Sequence, residues 1–290
     1  MLNNKTIKKL LFLQKGEITD HIIYNKLARK QKSKHNKEIL TKISQDELEH
    51  YEFLKKQTKK SVAPNHFKVM FFFLIARFLG LTFGIKLMER GEVKTQTIYN
   101  ELKNKIKGID KLIQDEIVHE KQLIDALDEE KLKFVGSIVL GLNDALVELT
   151  GTLAGLTFAF AESKMVALAG LITGVAASLS MGSSEYLSTK QENSHAFAFK
   201  SSLYTGVAYI FAVIFMVLPY LLISNVYISL LVTIGVVIFI IFIFNYYISV
   251  AKDLSFRKRF LEMVTISLGV AVISFGIGLL VKEVFGIDIG

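Results

Sequence analysis

Glu17, Glu47-x-x-His50, Glu89-x-x-Glu92 and Glu116-x-x-His119 are four groups of carboxylates and imidazoles in the first part of the chain. Residues three apart share one face of a helix, so Glu47 and His50 can reach a common point, as can Glu116 and His119. Two Glu-x-x-His pairs from two helices, with glutamates from two more, form a donor set for two iron or manganese ions inside a four-helix bundle. Ferrous and manganous ions both accept this mixture of carboxylate oxygen and imidazole nitrogen. One such pair arises by chance on many charged helices; two, with matching glutamates, are a much rarer accident. Glu49, Glu52 and Glu120 fall outside the pattern and are expected to be exposed or to support the ligands. His21, His35 and His66 have no matching partners and are expected at the surface.

The elements that must position these groups occupy only the first half of a divided chain of 290 residues. Residues 1–133 hold 27 lysines and arginines against 18 aspartates and glutamates, an excess of nine positive charges. Residues 134–290 hold only 8 against 9. The change of composition predicts two domains, 1–132 and 133–290. There is no cysteine, which excludes disulfides and thiolate ligands. The Lys-rich start lacks a continuous apolar stretch, so no cleavable signal peptide is expected. The lysines before residue 61 could touch anionic lipid. An ordinary solvated surface is the commoner role for such residues, and no nucleic-acid partner is expected.

The second half reads as membrane spans at about 134–161, 165–186, 202–223, 226–250 and 260–282. An apolar helix of about 20 residues is enough to cross a hydrocarbon core. The uncharged run 201–251 is too long for one helix, and Pro219 with Ser224-Asn225 marks a hairpin within it. Lys190 and Lys200, then Lys252, Arg257, Lys258 and Arg259, sit in two connections that would share a side with the basic head. The positive-inside rule therefore predicts a cytoplasmic N-terminal domain and an outward C-terminus, and the plasma membrane is the expected location. Tyr204, Tyr220, Tyr227, Tyr246 and Tyr247 are expected as interfacial anchors. Residues 69–88 are strongly apolar yet carry Arg77 and Lys86. A sixth span there would separate the metal-ligand groups. The stretch is therefore expected either as a helix at the membrane surface or on the spans, or as a buried bundle helix.

Ionisable residues inside a span are costly and default to a functional reading. Asp144 and Glu148 lie one turn apart in the first span. Met181 and Glu185 do so in the second, and Glu262 opens the fifth. Together they could form a ladder of oxygen and thioether ligands across the membrane. Glu185 and Glu262 could instead reach the headgroups. Gly151-x-x-x-Gly155 and Gly170-x-x-x-Gly174 permit close helix packing, within one chain or between two.

The first half resembles the rubrerythrin and ferritin-like di-iron carboxylate family over roughly residues 5–130. The residues that carry this are Glu17, Asp46-Glu47-Leu48-Glu49-His50, Met88-Glu89-Arg90-Gly91-Glu92 and Asp115-Glu116-Ile117-Val118-His119. The second half resembles the vacuolar iron transporter family through Gly141-Leu-Asn-Asp-Ala-Leu-Val-Glu-Leu-Thr-Gly151 and Ser180-Met-Gly-Ser-Ser-Glu-Tyr186. These resemblances imply an all-α chain: a ferritin-like four-helix bundle followed by a five-helix transmembrane domain. They also imply a homodimeric exchanger of Fe2+ or Mn2+ for protons, with Asp144, Met181 and Glu185 on the path. The head would hold a di-iron (Fe2+/Fe3+) or manganese centre that captures or oxidises metal, with possible ferroxidase-type activity. Plant-type members carry a glutamate-rich region between spans two and three. Here that connection, about 187–200, offers only Glu192 and His195. The alternative is a membrane-tethered di-iron oxidase or peroxidase using the spans as an anchor, for which acids in mid-span have no purpose.

Overall fold

The computed structural model describes residues 3–91, 93–103, 105–115, 133–160 and 162–285. Every regular element among them is a helix. The chain divides into two compact units, Met1–Glu130 and Lys131–Gly290.

In the first unit, α1 (Asn4–Lys30) and α2 (Lys34–Thr58) pack along one another. Each starts where a short polar side chain caps it: Asn3 accepts from the Thr6 amide and Ser33 from the Asn36 amide. Such caps satisfy backbone donors that have no partner in the first turn. α2 ends at Lys59 in the left-handed region, at φ 54°. Asn65 then caps α3 (His66–Leu79), which is followed by α4 (Leu81–Arg90), α5 (Val93–Leu102) and α6 (Ile109–Gln114).

The apolar stretch 69–88 does not form one helix. Gly80, at φ 112° and ψ 146°, breaks it in a conformation closed to L side chains. α4 folds back on α3 so closely that a Cβ on Gly84 would stand 2.7 Å from Cα of Ala76. α4 is buried through Leu81, Phe83, Ile85 and Met88, whereas α3 buries only Val69 and Ala76. The stretch thus divides between a core helix and a helix with an exposed apolar face.

The second unit contains five helices long and apolar enough to cross a membrane: α7 (Val135–Phe160), α8 (Ser163–Glu192), α9 (His195–Leu222), α10 (Val226–Ala251) and α11 (Phe256–Phe285). In α11 the apolar stretch runs from Phe256 to Leu280. Several helices extend beyond the apolar cores read from sequence. α8 and α9 are separated by only Asn193 and Ser194, because polar ends continue helical outside the apolar window. Pro219 lies in the last turn of α9, and the hairpin closes at Asn225, whose side chain accepts from the Tyr227 and Ile228 amides. Tyr220 is buried rather than interfacial, its hydroxyl 2.8 Å from Thr157 Oγ1.

α7 packs against all four other spans. Its Gly151 and Gly155 admit α11 closely: a Cβ on Gly151 would stand 2.8 Å from Ser274 Oγ, and one on Gly278 3.0 Å from the Gly155 carbonyl oxygen. Gly170 and Gly174 of α8 meet Leu153 of α7 and Val213 of α9. These small residues therefore serve packing within the chain.

Candidate metal centre and membrane carboxylates

The first unit brings Glu17 of α1 together with Glu47 and His50 of α2. One ligand atom from each lies within 4.8 Å of the others. All three are buried, at 4%, 5% and 8% exposure. His50 Nδ1 is 3.6 Å from Glu17 Oε2, and His50 Nε2 is 3.9 Å from Asp115 Oδ2 at the end of α6. Tyr99 of α5, itself buried, donates its hydroxyl to Glu17 Oε1.

Burial pushes the Glu17 carboxyl up, yet hydrogen bonds with His50, Glu47 and Tyr99, and the charge of His50, outweigh it and hold the group below the usual carboxylate range. Two buried carboxylates facing one imidazole fit a dication. The ion would offset their charge, and oxygen with imidazole nitrogen suits iron or manganese.

Of the remaining expected ligands, Glu89 is half-buried near the end of α4 and is not among the grouped three. Glu92, Glu116 and His119 lie outside the described residues, as does Glu120. Glu49 is exposed on α2, and Glu52 is half-buried and pairs with Lys55 at 2.9 Å. His35 and His66 are exposed as expected, but His21 is not free at the surface. Its Nδ1 stands 2.7 Å from the Ser44 carbonyl oxygen and 3.0 Å from Ser44 Oγ, joining α1 to α2. Tyr99 carried no signal in the sequence. Asp115 was visible only as the neighbour of a suspected ligand.

In the second unit, Asp144 and Glu148 lie one turn apart on α7. Asp144 is half-buried and, among the described residues, makes no hydrogen bond or ion pair. Beside it, Asn143 Oδ1 is buried with no described donor in reach. Glu148 is exposed in the single chain, and its Oε2 accepts from Tyr209 of α9 at 2.7 Å.

Glu185 of α8 is held differently. Its Oε1 accepts from Ser137 of α7 at 2.9 Å, from Ser201 of α9 at 2.6 Å and from Thr189 at 3.3 Å. One carboxylate thereby ties three helices, in place of the lone headgroup-seeking residue considered above. Met181, one turn away, is half-buried against the core of the spans. Glu262 is exposed near the start of α11. Glu192 closes α8, and His195 Nδ1 lies 3.1 Å from the Tyr186 hydroxyl.

Residues 135–200 match the model of the VIT family. The matched stretch covers α7, α8 and the first residues of α9. It therefore contains Asp144, Glu148, Met181 and Glu185, while Glu262 and the whole first unit lie outside it. No curated protein matches the chain. The VIT match, with five apolar helices, supports an integral membrane protein that transports metal ions.

Proposed function

We propose that this protein moves Fe2+ or Mn2+ out of the cytoplasm in exchange for protons, with the first unit as a cytoplasmic metal-capturing head. The observation that carries this reading is Asp144, which has no hydrogen-bond or ion-pair partner among the described residues. It lies about 14 Å along a helix of about 39 Å, inside the stretch similar to the VIT family. A carboxylate in mid-span is costly unless something uses it. A passing dication does so, and Asn143, Glu148 and Met181 supply further oxygen and thioether donors along α7 and α8. One carboxylate cannot hold a proton and a metal ion together, so protonation of Asp144 releases cargo and couples the two flows.

Glu148 is exposed on the single chain although it sits within a span. Two copies packed through this face of α7 would remove it from lipid and set two rows of acids opposite one another. That favours a homodimer with its path between protomers.

In the head, Glu17, Glu47 and His50 would hold metal, with Glu89, Glu92, Glu116 and His119 as the proposed remainder of a two-metal site. Bound there, iron or manganese would supply a captured store and, for iron, redox chemistry. Tyr99 positions Glu17, and burial excludes water from all three grouped residues.

The test is Fe2+ and Mn2+ flux into proteoliposomes across an imposed pH gradient. Asp144→Ala is expected to abolish flux while leaving metal binding by the head intact. Unchanged flux would refute the mechanism.

A further inference from the structure

We propose that α3 is a bilayer-docking element, its outer face lying at the boundary between headgroups and acyl chains of an anionic leaflet. Only Val69 and Ala76 of its 14 residues are buried. They belong to one buried cluster with Ile23, Tyr24 and Leu27 of α1, against which α3 packs. The opposite side carries Phe67, Met70, Phe71, Leu74 and Phe78, with Phe67 80% and Phe78 72% exposed. Their spacing of three and four residues makes one continuous stripe, and no described residue covers it. Contiguous exposed apolar surface of this kind marks an interaction site.

The fold presents the stripe on purpose-built geometry. Gly80 supplies the reversal, and the close contact of Gly84 with Ala76 fixes the pair. α4 can therefore fill the core while α3 turns its aromatic side out. A single continuous helix would not allow both.

Charge decides between a bilayer and a second copy as the occupant. The first 133 residues carry an excess of nine positive charges. A symmetric contact through α3 would bring two such units together, whereas anionic headgroups attract them. Exposed Arg77 borders the stripe, and exposed Lys59 and Lys60 precede the helix. Phenylalanine with flanking cations is the composition of a helix lying in the interface plane. The five apolar helices of the same chain keep a leaflet within reach of the head.

The chain has no cysteine, so single replacements give uniquely placed labels. Phe71→Cys, Leu74→Cys and Phe78→Cys, with Lys32→Cys as an exposed control, would each carry a nitroxide. The full chain would sit in vesicles of phosphatidylcholine mixed with phosphatidylserine. Collision with lipid-soluble oxygen is expected to exceed collision with a water-soluble nickel chelate about threefold or more at the α3 positions, and to reverse at position 32. Removing phosphatidylserine or raising salt is expected to shift the α3 labels toward water. Nickel access dominating at 74 and 78 in the anionic vesicles would overturn the proposal. So would shielding from both reagents with spin–spin broadening, which marks a second copy on the stripe.

Discussion

Replacing Glu185 tests whether one carboxylate holds three spans together. Its Oε1 takes hydroxyl bonds from Ser201 at 2.6 Å and Ser137 at 2.9 Å, on α9 and α7, besides Thr189 at 3.3 Å in its own helix. Hydrogen bonds to a charged acceptor contribute about 1.5–3 kcal/mol each. The Ser137 and Ser201 hydroxyls stand 2.5 Å apart, so when Glu185→Ala removes their shared acceptor one can donate to the other, and the two bonds that reach α7 and α9 are lost with one hydroxyl still satisfied. The net loss is expected at about 2–4 kcal/mol. Glu185→Gln keeps an acceptor oxygen in place and is expected to lose only about 1 kcal/mol. Unfolding of the full chain in mixed detergent micelles, read by pulse proteolysis of the spans, measures both. An alanine variant as stable as the parent would refute the clamp, and so would equal losses in the two variants. Because the glutamine variant stays folded, its metal flux then reads the contribution of the charge alone.

Three further outcomes follow from the same geometry. A Cβ on Gly141 would lie 3.1 and 3.2 Å from the carbonyl carbon and Cα of Thr205, and closer still to its oxygen. Backbone cannot rotate aside, so Gly141→Ala is expected to force α7 from α9 at a cost of about 1–3 kcal/mol in the same unfolding assay. Tyr99→Phe removes the donor to buried Glu17 and is expected to cost the metal-free head about 1–3 kcal/mol, read by hydrogen exchange of α1 amides. His50→Ala is expected to weaken metal binding by the head at least about tenfold in calorimetry on the full protein, by loss of the one imidazole among the three grouped, described residues.

Much of the architecture is legible in local patterns. A helix in hydrocarbon must satisfy its backbone internally, so apolar runs of sufficient length translate directly into the five long helices of the second unit. The i, i+3 spacing of Glu47 and His50 likewise puts both on one face of α2, where they meet Glu17. The in-span position of Asp144 is also plain from its apolar neighbours.

Contacts between distant segments are another matter. Nothing local links Tyr99 to Glu17, or Ser137 and Ser201 to Glu185, because hydroxyls are common and their partners are chosen by helix packing. The break at Gly80 is hidden inside a run with continuous helical character. It is the contact of Gly84 with Ala76 that stabilises the reversal. His21 and Tyr220 carry polar tips that suit a surface, yet each found a partner on a neighbouring helix. Periodicity and composition thus settle which segments are helical and which residues share a helix face, since these depend on near neighbours along the chain. Which side chains meet across helices depends on packing that excludes all but one arrangement, and only the folded molecule records it.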